Sequence, residues 1–233
     1  MDRARIAVGM SGGTDSSMAA HILVEQGADV HGVTFQLWHE PSTKSSVAHI
    51  ERAQAVAARL GISHTVIDIH APFLEQIVRP FVASYLAGAT PSPCVRCNPL
   101  IKFGVMLEQA DRLGCDMLAT GHYAKAVPSP LGGRCLLRGD DPSKDQSYFL
   151  AGLTRQQLSR AVFPLGALTK TDVKARAAAI GLVPKTLAES QDLCFVPDGD
   201  CAAFIERMAD EDPAGGEIVD VSGKVMGQHD GIH

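Results

Sequence analysis

Gly9-Met10-Ser11-Gly12-Gly13-Thr14-Asp15-Ser16-Ser17 joins a strand-like run, Arg5–Met10, to a stretch with helical spacing, Ser16–Gln26, that stops at Gly27. A strand that turns on glycines directly into a helix must return as a parallel neighbour, because the helix covers one face of the sheet it left. The rest of the first half supplies such neighbours. Val30–Phe35, His64–Ile69 and Met117–Thr120 are predicted strands, and Ala48–Leu60, Phe73–Leu86 and Ile101–Leu113 are predicted helices, two of them ending at Gly61 and Gly114. This alternation predicts an α/β fold, a parallel sheet with helices on both faces, followed by a small helical and β segment.

The middle of the chain changes character. Ala124–Val127 and Arg134–Leu137 flank Pro128-Ser129-Pro130-Leu131-Gly132-Gly133, a hairpin signal. Thr154 with Gln157, and Thr169 with Asp172, read as capping boxes opening two short helices, the second ending at Gly181. From Gly215 onward turn residues and β-branched residues alternate. These shifts divide the chain into regions 1–140, 141–212 and 213–233. No apolar run approaches the roughly 18–20 residues that span a bilayer, and MDRARIAVGM runs straight into a strand without a signal-peptide core. The expected location is the cytoplasm, with no membrane partner.

The glycine turn has the chemistry of an anion site. Its glycines let the backbone approach a ligand, its successive N–H groups form a nest, and the helix N-terminus adds about half a positive charge. Ser11, Ser16 and Ser17 can offer hydroxyls to phosphate oxygens, and Asp15 could hold Mg²⁺. No Lys-Ser/Thr pair closes the loop, so it is not a Walker loop. A plain glycine turn with an Asp-Ser cap is the blander reading, weakened by the strand before and the helix after.

Six cysteines stand at 94, 97, 115, 135, 194 and 201. Pro91-Ser92-Pro93-Cys94-Val95-Arg96-Cys97-Asn98 reads as a rigid, proline-framed loop holding a CxxC, with Arg96 placed to favour a thiolate. Alone, a CxxC is equally half a zinc site or a redox pair. Zinc needs four ligands and there is no second CxxC, though Cys201 or His122 could complete a set. Cys115 and Cys135 read as packing, Trp38 as a core or rim aromatic.

Five ordered blocks over about residues 5–200 resemble the tRNA-specific 2-thiouridylases of the PP-loop ATP pyrophosphatase superfamily. The glycine turn is similar to the SGGxDS signature, PSPCVRCNPLIKFG to TPNPCVxCNxxIKF, and Ala119–Ala124 to ATGHYA. Leu137-Arg138-Gly139 with Lys144–Leu150 resembles LRG…KDQSYFL, and Ser190–Phe195 resembles DSxxICF. The resemblance implies an adenine nucleotide α-hydrolase-like fold and 2-thiolation of a tRNA uridine, at the wobble position, with ATP, Mg²⁺, tRNA and a sulfur-donor protein. ATP would sit on Gly9, Met10, Ser11, Gly12, Gly13, Thr14, Asp15 and Ser16, with Phe35 and Gly121 near the adenosine. Cys194 would carry a persulfide, and Cys97 would resolve it by forming a Cys97–Cys194 disulfide. His122, Lys144, Asp145 and Gln146 would lie against tRNA. Cys94, Cys97 and Cys194 are also the three thiols a [4Fe–4S] cluster with one open iron would require.

The net charge of −5 weighs mildly against a nucleic-acid partner, because phosphate contacts favour a basic surface. The family pattern continues past His229-Asp230-Gly231 into a further β-barrel, whereas the sequence given ends at His233. Competing readings are a PP-loop ligase or sulfurtransferase with another substrate, in which the cysteines could be dispensable, and a non-enzymatic nucleotide-binding or iron–sulfur module.

Overall fold

In the computed structural model the described residues are 4–38, 47–184, 193–196, 199–209, 215–229 and 231. Strand β1 (Arg5–Gly9) leads through the glycine turn into α1 (Thr14–Glu25), and β2 (Asp29–Gln36), α2 (Val47–Leu60) and β3 (Ser63–Asp68) follow. Helix α3 (residues 70–86) and helix α4 (residues 93–112) precede β4 (Met117–Ala119). After the hairpin β5 (Ala124–Pro128) and β6 (Arg134–Arg138) come α5 (Arg155–Arg160), β7 (Ala161–Val162), α6 (Lys170–Ala179), α7 (Cys201–Met208) and the hairpin β8 (Gly216–Val219) and β9 (Val225–His229).

The central sheet has five parallel strands in the order β3-β2-β1-β4-β7. Its last strand comes from beyond residue 140, out of a stretch with only helical signals in the sequence. Two residues are too short a run to show β periodicity.

Side chains along β1 alternate between two cores. Ile6 and Val8 pack with Met18, Leu23, Val56 and Val173 of α1, α2 and α6. Ala7 faces the opposite way, onto Phe73, Phe103, Phe163 and Phe204, with α3, α4 and α7 covering that face. A strand buried on both faces is the signature of a doubly covered parallel sheet. Each fully buried aromatic or aliphatic side chain contributes about 1.5–3 kcal/mol through lost water contact. Among the described residues no helix is long and apolar enough to cross a membrane.

Two helices depart from the predicted elements, both through π-type turns. Leu74–Val78 interrupts α3 just before Pro80, and Asn98–Val105 interrupts α4 around Pro99. A proline inside a regular helix clashes with the carbonyl four residues back, and a widened turn relieves that crowding. Helix α4 therefore starts at Pro93, eight residues before the predicted start. The CxxC is the first helical turn, with Pro93 near the helix start, and not a loop.

Candidate functional site

The phosphate-type loop forms at the carboxyl ends of β1 and β4, where open α/β sheets place their ligands. Gly12 adopts a left-handed φ of 70°, and a Cβ there would lie 2.3 Å from the His49 carbonyl oxygen, so only glycine fits against α2. Within the loop Ser11 N–H and hydroxyl both meet Ser16 Oγ at 3.1 Å. Thr34 Oγ1 donates to the Met10 carbonyl at 2.7 Å, tying the loop to β2. Helix α1 begins at Thr14 without a side-chain cap, which leaves its first N–H groups for a ligand.

A single cavity of about 490 Å³ runs from this loop to the cysteines. Gly9, Met10, Ser11, Gly13, Thr14, Asp15 and Ser16 of the loop line it, and so do Phe35, Gly121, Cys97 and Cys194. Two loop residues stand apart from that lining. Gly12 packs against α2, and Ser17 is fully buried with its hydroxyl spent on the Gly13 carbonyl at 2.8 Å, so Ser17 offers nothing to phosphate.

Asp15 is not waiting open for a metal. Its two oxygens each accept from Lys170 Nζ at 2.7 Å, and Oδ1 also accepts from the Tyr123 hydroxyl at 2.9 Å. A carboxylate is a suitable Mg²⁺ donor, so the residue type fits, but a metal would have to share or displace these partners.

Cys97 is buried, and burial pushes its thiol up to about 12, against the opposing pull of the Lys102 ammonium. Cys194 keeps an open surface yet is crowded by protein, which pushes its thiol up to about 11, again opposed by Lys102. Arg96, the cation expected beside the thiols, instead turns away and donates from Nε to the Gln76 carbonyl at 2.7 Å. The π-type register, in which residue i meets i+5, is what brings Lys102 into the cavity with Cys97. Cys94 is exposed, and all six cysteines are free thiols. Among the described residues no group of three His, Cys, Asp or Glu is gathered closely enough to hold a metal. Cys94, Cys97 and Cys194 thus do not fit an iron–sulfur cluster as arranged, and Cys201 and His122 complete no zinc set with them.

His122 lines the cavity floor with only 7% of its surface exposed, between Phe103 and Phe163. Burial, assisted by Lys102, holds its imidazole well below the usual range, and Nδ1 meets Thr120 Oγ1 at 2.7 Å. Lys144 and Gln146 also line the cavity. Asp145 does not. It accepts from the Gly139 N–H at 3.0 Å and from the Ser147 hydroxyl at 2.9 Å, fixing the loop that presents its two neighbours. Burial works to raise its carboxyl, and those bonds outweigh it. Of the Ser190–Phe195 block, Ser190, Gln191 and Asp192 lie outside the described residues.

Lys102, Tyr123, Lys170 and Asn98 escaped the sequence-based selection. Asn98 is 1% exposed, and its amide donates to the Cys94 and Phe149 carbonyls at 3.0 Å, clamping the CxxC turn. Lys102 and Asn98 sat within the quoted PSPCVRCNPLIKFG block, whereas Lys170 carried no signal beyond its place beside the Thr169 cap.

The profile of the family described as tRNA methyl transferase HUP domain matches residues 4–198. The tRNA-specific 2-thiouridylase MnmA of Syntrophotalea carbinolica is 49% identical over 230 residues, covering 98% of this chain and 65% of that protein. The corresponding protein of Magnetococcus marinus is 46% identical over 235 residues, with 98% and 66% covered. The chain thus spans about two thirds of the length of the curated relatives it matches. A solved 4-thiouridine synthetase–RNA complex with bound ATP superposes with a TM-score of 0.51 at 17% identity, over 77% of this chain and 41% of that one. NMN synthetase from Francisella tularensis does so at 0.50 and 15%, over 82% and 66%. These two structural likenesses speak for the fold alone. The chain belongs to the tRNA methyl transferase HUP-domain family, and over that span it is similar to the tRNA-specific 2-thiouridylases.

Proposed function

We propose that this chain carries the ATP-dependent step and the sulfur-transfer step of 2-thiouridine formation in tRNA, at the wobble uridine. The observation that supports this most is the single 490 Å³ cavity shared by the glycine loop and by Cys97 and Cys194. Activation of a base and attack by sulfur on the activated carbon need both machineries within one ligand's reach.

A uridine C2 carbonyl oxygen is a poor leaving group. In the proposed first step this oxygen attacks the α-phosphorus of ATP, the bond to pyrophosphate breaks, and O2 is adenylated. The N–H groups at the start of α1 face the charge that develops on the phosphates. Mg²⁺, held by Asp15, would supply further neutralisation of the phosphate oxygens. The terminal sulfur of a Cys194 persulfide then attacks C2 and AMP departs with its oxygen. The Cys97 thiolate attacks Cys194 Sγ, forming the Cys97–Cys194 disulfide and leaving the second sulfur on C2. A thiol reductant returns both cysteines to the free state, and a sulfur-donor protein reloads Cys194.

His122 is kept neutral under the cavity and serves as wall and hydrogen-bonding floor for the base. Lys144 and Gln146 face the same space from the loop that Asp145 braces. The cytoplasm is the compartment where free thiols and unmodified tRNA coexist.

The test is an anaerobic reaction of unmodified tRNA transcript, ATP, Mg²⁺ and a persulfide donor, with 2-thiouridine read by mass spectrometry. Product that disappears in both Cys97→Ala and Cys194→Ala supports the assignment. Release of AMP without thiolated product in the unaltered protein would reduce it to a PP-loop adenylating enzyme with another acceptor.

A further inference from the structure

Lys170 is the first residue of α6, 155 positions from Asp15 in sequence, yet its ammonium lies 2.7 Å from both Asp15 oxygens. Only 8% of its surface is exposed. Lysine is almost never buried to that extent without a specific partner. Its position is built from two sides. The Lys170 N–H donates to Asp141 Oδ2 at 2.9 Å, which anchors the helix start, and the ammonium stands 5.8 Å from the centre of the Tyr123 ring. Asp141 is itself buried and gathers the Ser143 hydroxyl at 2.7 Å.

The pair is half-buried, with side-chain exposures of 10% for Lys170 and 33% for Asp15, and such a pair adds little to stability, because screening and desolvation offset attraction. An explanation in ligand binding is therefore favoured over one in folding. Lys170 lines the cavity beside the loop, and so do Lys102 and Lys144. Lys102 acts on the thiols, whereas Lys170 touches the loop's own carboxylate. The loop lacks the lysine that closes a Walker sequence, and α6 delivers one to the same place from another part of the chain.

We propose that Lys170 is the polyphosphate-binding cation of this site, held on Asp15 in the empty protein and turned onto the β- and γ-phosphates when ATP enters. The proposal rests on the reading of Gly9–Ser16 as the ATP loop. The exchange has a physical logic: if Mg²⁺ occupies Asp15, the ammonium loses its partner at the moment a polyanion arrives. Lys170 would then distinguish ATP from AMP, and would hold pyrophosphate as it leaves.

The experiment is calorimetric titration of the full chain with ATP, AMP and pyrophosphate, with Mg²⁺ and again in EDTA, for the unaltered protein and Lys170→Gln. Loss of one charge-assisted contact predicts roughly tenfold to hundredfold weaker ATP and pyrophosphate binding, with AMP affinity little changed. A purely structural lysine would weaken AMP and ATP alike, and that result overturns the proposal. So does ATP binding at unaltered strength. If Lys170→Gln shows no cooperative melt, Asp15→Asn/Lys170→Gln leaves no unpaired buried charge. In EDTA its Asp15 change can only favour an anion, so a lost preference for ATP over AMP still reports Lys170, and a retained preference refutes it. Should the unaltered protein bind neither nucleotide in either buffer, the loop reading fails and the proposal with it.

Discussion

A Cβ on Gly121 would stand 2.8 Å from both the Asp15 carbonyl carbon and the Ser16 nitrogen. The end of β4 is thus in backbone contact with the start of α1, and the absent side chain sets the width of the cavity. Gly121→Ala forces that contact apart. The expected cost is about 1–3 kcal/mol of stability, as for an overpacked core, together with weaker ATP binding. Gly61→Ala is the comparison. Its φ of 67° is strained for alanine but nothing lies within 4 Å, so stability falls by roughly 1–2 kcal/mol and ATP affinity stays. Urea denaturation and nucleotide titration on both variants separate the two outcomes.

The thiol end is expected to be slow to react until substrate arrives. With Cys97 raised to about 12 and Cys194 to about 11, both are protonated at neutral pH. Only the thiolate is a nucleophile. Iodoacetamide labelling of the two cysteines, followed by peptide mass spectrometry, should rise steadily with pH and show no plateau through pH 9. The Lys102 charge lowers both thiols, so Lys102→Met should slow labelling further at any given pH. Arg96→Met should leave it unchanged, because the guanidinium is engaged with the Gln76 carbonyl on the other side of the turn.

The contrast between Arg96 and Lys102 shows what could be read from sequence. The strands and helices around the sheet were legible because each carries its own periodicity and stop. Gly27, Gly61, Gly114 and Gly181 all follow helices with φ between 59° and 76°. The glycine loop was legible for the same reason, since its chemistry is contained in consecutive residues. The CxxC was misread as a loop because its prolines signal breaks, while a π-type turn around Pro99 lets the helix continue and rotates Lys102 rather than Arg96 into the cavity. Lys170 was invisible. A lysine after a capping threonine ordinarily points to solvent, and only the tertiary fold carries α6 to Asp15.

Acid should unfold the protein earlier than its carboxylates alone would require. His31, His64 and His122 are all held below the usual histidine range, in each case chiefly by burial. Between the lowered folded value and the unfolded value of about 6.5, the unfolded chain binds protons that the folded chain refuses. Stability therefore declines as pH falls below about 6.5, by up to about 1.4 kcal/mol per pH unit for each histidine until its folded value is reached. Denaturant titrations at pH 7.5, 6.5 and 5.5 should show a falling midpoint, steeper from 6.5 to 5.5. His122→Phe should flatten that slope more than His31→Phe, because His122 is the more deeply enclosed.

The loop is tied to β2 by two bonds at Met10, its N–H donating to the Val33 carbonyl at 2.8 Å and its carbonyl accepting from one hydroxyl. Thr34 Oγ1 donates to the Met10 carbonyl at 2.7 Å, so its remaining capacity is as acceptor, and His64 Nε2 at 2.8 Å must be the donor. That assigns the His64 proton to Nε2 in the neutral ring. Thr34→Val keeps the shape and removes the hydroxyl, leaving Met10 and His64 each without this partner in a site only 1% exposed at residue 34. A loss of about 1–3 kcal/mol is expected, with ATP affinity falling because Met10 belongs to the loop that lines the cavity. Thr34→Ser keeps both bonds and should restore most of the affinity. If Thr34→Val instead bound ATP as tightly as the unaltered protein, the loop's geometry would be set by its own serines and by Gly12 against α2, and the tie to β2 would be a matter of stability alone.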